Sequence, residues 1–449
     1  MSSTNPTPTA SKLRPQGFRR YSQSLGPAII VACVVLGPGS ILTSSKVGCQ
    51  FGYQLVWLLL GAGILMMATV ALAARVGVAA KESPCTEISR CLGRPIGILA
   101  GVSVFLIASC FQFSNNLGVL AALEPLISAE QGWQKPVLIG MNLFLIASLY
   151  SFKSLYKPLE TMMVVLVGVM LLAFAANLLM AKPSVVSFLQ GLIPQIPDSL
   201  AGGLWPKLAP ANPALPDAGR IIIDPWLAVQ GLIATTFSVA GAFYQFYLVR
   251  EKGWTVTDLR RGLADSVLGT TILVCISLMI MVTSAAVLSG SVDVDQLNSV
   301  ADVARQLEPL FGSSATALFC LGIFGGAVSS FLVNSIIGGT MLADGLGLDA
   351  RLDSRWTKLF TIATLLVGMA VSLIPTPAAR VPLIIFAQAI TVLGGPLLAA
   401  SLWLVAFKYR RENRIEISKR LLAISALGCL VIFGLAIRTA WRIYLTLSL

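Results

Sequence analysis

Residues Gly26–Trp57 read GPAIIVACVVLGPGSILTSSKVGCQFGYQLVW, and this stretch decides the fold. It opens as an apolar helix, breaks at Gly37-Pro38-Gly39-Ser40 and resumes as a helix speckled with Thr43, Ser44, Ser45 and Lys46. Pro38 lacks a backbone donor, and the glycines on either side accept irregular φ and ψ. Lipid cannot satisfy the polar groups that such a break exposes, so the break must be packed in protein or line a cavity. An interrupted first helix is therefore the best sequence pointer to a transporter's substrate site. The plainer alternative is a proline-kinked structural helix.

Composition supports a membrane setting. The chain has 449 residues, of which 56% are hydrophobic and 12% charged. Its mean hydropathy is +0.83. These values describe a polytopic helical membrane protein, not a soluble domain. The polar first 25 residues lack the short apolar core and small-residue cleavage site of a signal peptide. Eight cysteines fall mostly inside apolar segments, and only Cys85 and Cys91 share a loop, which suggests neither a disulfide framework nor a zinc site. Histidine is absent, which removes the commonest proton shuttle and transition-metal ligand. The net charge of +12 lies in short inter-helix loops, so it reads as membrane topology and not as nucleic-acid recognition.

Apolar segments of about the ~20 residues needed to cross a bilayer follow one another along the chain. After segment 1 they fall near 54–74, 96–123, 136–152, 159–181, 225–249, 264–288, 313–343, 357–374, 381–406 and 421–445, eleven in all. A Pro/Gly-rich loop from 182 to 224 is long enough to be functional or flexible. With the amino terminus in the cytoplasm, about 23 of the 32 Lys and Arg residues lie inside. This places the carboxy terminus outside, in the inner or plasma membrane of a prokaryote.

The opening stretch resembles segment 1 of the Nramp family (natural resistance-associated macrophage proteins). Segment 6, GLIATTFSVAGAFYQFYLV at 231–249, is similar to that family's metal-site helix. GAVSSFLVNSIIGGTMLADGLG on segment 8 and LIIFAQAITVLGGPLLAASLWLVAFKYRREN on segment 10 also resemble their counterparts. The resemblance covers most of 24–420. It implies an all-α LeuT-type fold with an inverted 5+5 helix repeat and an eleventh transmembrane helix. A cytoplasmic tail would occupy 1–24, the repeats 25–181 and 225–407, the extracellular loop 182–224, and a basic cytoplasmic loop with helix 11 the stretch 408–449. The departures fall on the family's functional positions. Its Asp-Pro-Gly-Asn reads Gly37-Pro38-Gly39-Ser40, and its Met-Pro-His reads Ser238-Val239-Ala240. An acidic pair on segment 3 aligns with Gln112 and Asn115, while a glutamine on segment 10 is kept as Gln388.

A dication needs compensating oxygen ligands, usually carboxylates. No Asp or Glu lies between Arg20 and Glu82 or between Asp224 and Glu251. Cys33 and Cys49 flank the first break at ordinary packing positions. The half-helices after Gly39 and after Gly241 instead present unpaired N–H groups and positive dipole ends. With the hydroxyls of Ser40, Thr43, Ser44 and Ser238, these form an expected anion site. Lys46, about two turns beyond Ser40, either serves that site or snorkels to the surface.

The leading expectation is uptake of a small inorganic anion, bicarbonate first, by alternating access. Entry against a negative-inside potential costs about 2.3 kcal/mol per charge per 100 mV, so a driving cation is expected. Ser329 and Ser330 align with helix-8 hydroxyls that help hold sodium in LeuT-type transporters, and Asn334 could assist; the alternative is close helix packing. No other cofactor, no resident metal site and no nucleic-acid partner is expected; the partners are the ion and the bilayer, with the oligomeric state left open. The rivals are a divalent-metal transporter for magnesium or manganese, with Gln388 among its ligands, and a non-transporting sensor. Asp344 is expected to pair with loop lysines or arginines. No nucleotide loop or catalytic triad points to an enzyme.

Overall fold

The computed structural model describes residues 37–125, 132–151, 156–201, 203–209, 222–292, 297 and 299–448. Segment 1 enters as α1, Pro38–Phe51, with Pro38 in the first turn, where a missing N–H costs nothing. Its apolar first half, with Cys33, and the amino-terminal tail lie outside the described residues. There follow α2 (Val56–Ala79), the short α3 (Pro84–Leu92), α4 (Arg94–Leu123), α5 (Gln134–Ser151) and α6 (Tyr156–Ala181). Segment 6 is two helices, α7 (Leu227–Thr236) and α8 (Val239–Glu251). Then come α9 (Val256–Val287), α10 (Ala315–Gly345), α11 (Arg355–Ser372), α12 (Arg380–Ile390), α13 (Gly395–Arg411) and α14 (Lys419–Leu447). Among the described residues, seven helical stretches are long and apolar enough to cross a membrane.

The helices sort into two packing groups. In one, α1, α2, α8 and α9 pack on each other. In the other, α4 packs along α10, α11 and α12. Small residues permit the closest crossings, since dispersion and backbone proximity replace the hydrophobic drive between helices in lipid. Gly101 on α4 meets Gly345 and the Met341 carbonyl on α10. Gly338 and Gly339 on α10 lie against Thr361 and Thr364 of α11.

Two stretches gain detail here and one expectation is corrected. Within segment 10 a 3₁₀ turn, Thr391–Gly394, separates α12 from α13, ahead of Gly395-Pro396. The 182–224 stretch carries structure in its described parts. It holds two short helices, Val185–Gln190 and Asp198–Ala201, and a small antiparallel ladder pairing Lys207 with Ile223. Three indoles tie it to the bundle: Trp57 donates to the Gln195 carbonyl at 3.1 Å, Trp226 to Leu200 at 3.3 Å and Trp441 to Pro206 at 3.2 Å.

The correction concerns Asp344, which takes no lysine or arginine partner among the described residues. Its carboxylate caps α3, accepting from the Cys85 and Thr86 amides at 2.7 and 3.3 Å and from the Thr86 hydroxyl at 2.7 Å. The Ser83 hydroxyl also donates to it. A carboxylate at a helix N-terminus meets both the unpaired amides and the dipole, so no cation is needed. In the same first turn of α3, fully buried Glu87 accepts from the Tyr409 hydroxyl of α13 at 2.5 Å.

Candidate functional site

The first break is built by its neighbours. Gly37 is the N-cap of α1 in extended backbone, φ −112° and ψ −178°. Its carbonyl accepts from the amides of Ser40 at 3.1 Å and Ile41 at 3.3 Å. The Pro38 ring lies against Gly118 of α4, where any side chain would overlap it. A Cβ on Gly37 would sit 3.0 Å from Asn115 Oδ1 on α4 and 3.3 Å from Ser330 Oγ on α10. A Cβ on Gly39 would overlap the Gln388 carboxamide of α12. Three helices thus close on two glycines, and their side chains fill the space that larger residues at 37 and 39 would take.

The second break falls at Phe237-Ser238, and α8 starts at Val239 and not after Gly241 as expected. Ser238 supplies the reason: its hydroxyl accepts from the Gly241 amide at 3.3 Å and its carbonyl from Ala242 at 3.0 Å. This is an N-cap, which satisfies one of the helix's orphan donors. The amides of Val239 and Ala240 have no acceptor among the described residues. Two small cavities of about 10 Å³ adjoin this turn, each with room for about one water. Both are walled by Ile107, Phe111, Ser238 and Ala240; Thr391 adds to one and Asn334 to the other. Ser330 borders the first break and Asn334 the second, so one turn of α10 spans both. A wider polar cavity of about 570 Å³, between Gln50, Gln54, Gln190 and Asp198, takes no wall from either break.

The expected hydroxyl lining is only partly realised. Thr43 donates to the Gly39 carbonyl at 2.7 Å, inside its own helix, and sets its methyl against Gly231 of α7. Its proton is therefore spent, as is common for helical threonines. Ser40 and Ser44 are buried, and the Ser44 hydroxyl has no partner among the described residues. Lys46 is half-buried, already engaged, and lines neither small cavity. Cys49 is buried near the Val292 carbonyl, which is a packing role. The Ser329 side chain lies outside the described residues.

Sequence reasoning undervalued segment 3. Gln112 and Asn116 hold helices together: Gln112 donates to the Phe331 carbonyl of α10, and Asn116 accepts from Asn142 of α5 at 2.8 Å. Asn115 instead borders Gly37, with its Nδ2 unpartnered among the described residues. Neighbouring Ser114 accepts from Gln388 Nε2 at 2.6 Å. The signal available was helical spacing, because Gln112 and Asn116 share a face from which Asn115 is rotated by one residue. Among the described residues, no three Cys, Asp or Glu side chains gather as metal ligands.

A helix interrupted at Phe237-Ser238, beside one that starts at Gly37-Pro38 within an apolar bundle, suits a membrane transporter of the LeuT-type fold. Residues 28–442 match the natural resistance-associated macrophage protein-like family, Nramp, and the chain belongs to it. It is a transporter, not an enzyme. It is 23% identical over 392 residues to the divalent metal cation transporter MntH of Deinococcus radiodurans, covering 85% of each chain. With the MntH of Verminephrobacter eiseniae it shares 22% over 404 residues, 86% of this chain and 83% of the relative. A point variant of the Eremococcus coleocola manganese transporter superposes with a TM-score of 0.72 at 17% identity. That match covers 95% of this chain and 87% of the other, so the fold is common to both.

Proposed function

We propose that this transporter moves a small inorganic anion, bicarbonate first, coupled to sodium, by rocking of the two helix groups about the breaks. One observation carries the reading: every side chain at the breaks is neutral, while the Val239 and Ala240 amides lack acceptors among the described residues. A dication there would lose hydration without gaining a carboxylate, whereas an anion meets unpaired donors at a positive helix end. Sodium coupling draws on Ser330 and Asn334, buried on the turn of α10 that spans both breaks. A sodium ion needs only hydroxyl, amide and carbonyl oxygens. The small cavities must widen to admit an ion of several atoms, as alternating access requires. By the loop-charge pattern the protein sits in a prokaryotic plasma membrane with its amino terminus inside.

A second reading keeps a divalent metal, magnesium or manganese, and a relative matching across 85% of both lengths supports it through its name. Gln388 Oε1, a buried acceptor without a partner, would be one ligand for a partly hydrated ion. The test is uptake of labelled bicarbonate by proteoliposomes with and without an inward sodium gradient. Accumulation that collapses with the gradient supports the lead reading. Binding without accumulation in any gradient would mean a sensor, and sodium-independent accumulation would remove the coupling site.

A further inference from the structure

Two buried carboxamides flank the start of α1, and each has one open atom. Asn115, 3% exposed, borders Gly37, and its Nδ2 has no acceptor among the described residues. Gln388, 2% exposed, lies on Gly39; its Nε2 is used by Ser114, but its Oε1 has no donor among the described residues. One unmet donor and one unmet acceptor therefore sit on two side chains that border the same helix start, from α4 and α12. Buried polar groups are rarely left unmade, and a ligand that pairs both recovers the loss.

The two open atoms discriminate among ions by chemistry. Chloride, nitrate and formate can accept from Asn115 but bring no proton to Gln388. A metal ion can approach Gln388 Oε1 but offers nothing to an N–H. A protonated oxyanion brings both an ionised oxygen and an O–H. We infer that Asn115 and Gln388 form a specificity pair for such an ion: Asn115 Nδ2 donates to the ionised oxygen, and Gln388 Oε1 accepts the O–H. The inference rests on the anion reading and adds the reason for bicarbonate over other monovalent anions. A site that pairs a substrate hydroxyl rejects the analogue lacking it, because its own polar group is left buried and unpaired.

Competition in proteoliposomes tests it, with labelled bicarbonate as substrate and nitrate and formate as inhibitors. In the wild type, both inhibition constants should lie at least about tenfold above the bicarbonate KM. Gln388→Met should raise that KM about tenfold while leaving the nitrate constant within about twofold. Asn115→Leu should raise both constants together, since both ions use the donor, and it carries the test if Gln388→Met does not fold. Asn115→Ser, which keeps a donor, should restore part of the loss. Bicarbonate uptake that nitrate inhibits equally well, or constants unmoved by either variant, would overturn the pair and leave the anion reading standing. A wild type that moves no bicarbonate overturns both.

Discussion

Gly37 and Gly39 look interchangeable in the sequence but differ in space. Any side chain at 39 displaces Gln388, so a charged variant there confounds charge with displacement. At 37 a Cβ meets Asn115 at 3.0 Å, a contact that small shifts can relieve. Gly37→Asp and Gly37→Asn are close in size and differ in charge. We expect the aspartate variant to take up bicarbonate at least about tenfold more slowly than the asparagine one, since a fixed negative charge beside an anion costs several kcal/mol at low dielectric. Equal initial rates would show that the anion passes elsewhere. At the same scale, Ser330→Ala should raise the half-saturating sodium concentration about fivefold, the equivalent of one ~1 kcal/mol contact. An unaltered sodium response would leave Ser330 as packing. The hydroxyls were legible as residues but not as ligands: Thr43 spends its proton on its own helix, while Ser238 caps the next one.

At the scale of elements, legibility followed local chemistry. The first break was visible because Pro38 and two glycines cannot continue a helix quietly. The second, at Phe237-Ser238, carries neither proline nor glycine, so only the family resemblance located it, and the helix start was placed beyond its true position. The 3₁₀ turn in segment 10 had its signal in Gly394-Gly395-Pro396, yet its apolar run reads as continuous. The docking of α3 was illegible because its partners, Asp344 and Tyr409, are remote in sequence. Burial raises the Glu87 pKa, but the Tyr409 hydroxyl, Arg90 and the Glu82 amide outweigh it and hold the carboxyl below its ordinary value. A depressed carboxyl contributes stability in full above the ordinary value of 4.5 and loses it as pH falls through the lower folded value. Melting curves should therefore show the wild type losing stability below about pH 4, and Tyr409→Phe losing less over that interval. Parallel pH profiles would separate Glu87 from the acid response. At neutral pH, Tyr409→Phe should cost about 1–3 kcal/mol, because Glu87 is left buried with one donor fewer.

At the scale of the whole molecule, α14 is more than a peripheral span. Arg438, buried on α14, pairs with Asp224 ahead of α7, donates to the Gln230 side chain on α7 and reaches the Leu204 carbonyl at 2.7 Å. Arg442 joins the same carboxylate at 2.7 Å. Gln230 also donates to the Ala389 carbonyl, next to Gln388, at 3.3 Å. The last helix is thus wired to the half-helix that ends at the second break. Asp224→Asn should destabilise the protein by about 3–5 kcal/mol, since it strands buried guanidinium charge. The Asp224→Leu/Arg438→Met pair should cost less than Asp224→Asn alone. A double variant as unstable as the single one would contradict the ionic account.

The central claim is that neutral breaks with unpaired amides select an anion in a family whose named relatives carry divalent metals. The most direct measurement is parallel flux into one batch of proteoliposomes under an inward sodium gradient, following labelled bicarbonate and the quenching of a trapped dye by manganese. Bicarbonate accumulation without quenching is the expected result. Quenching without bicarbonate accumulation would mean that carbonyl and amide oxygens suffice for a dication, and would contradict the electrostatic argument at its root.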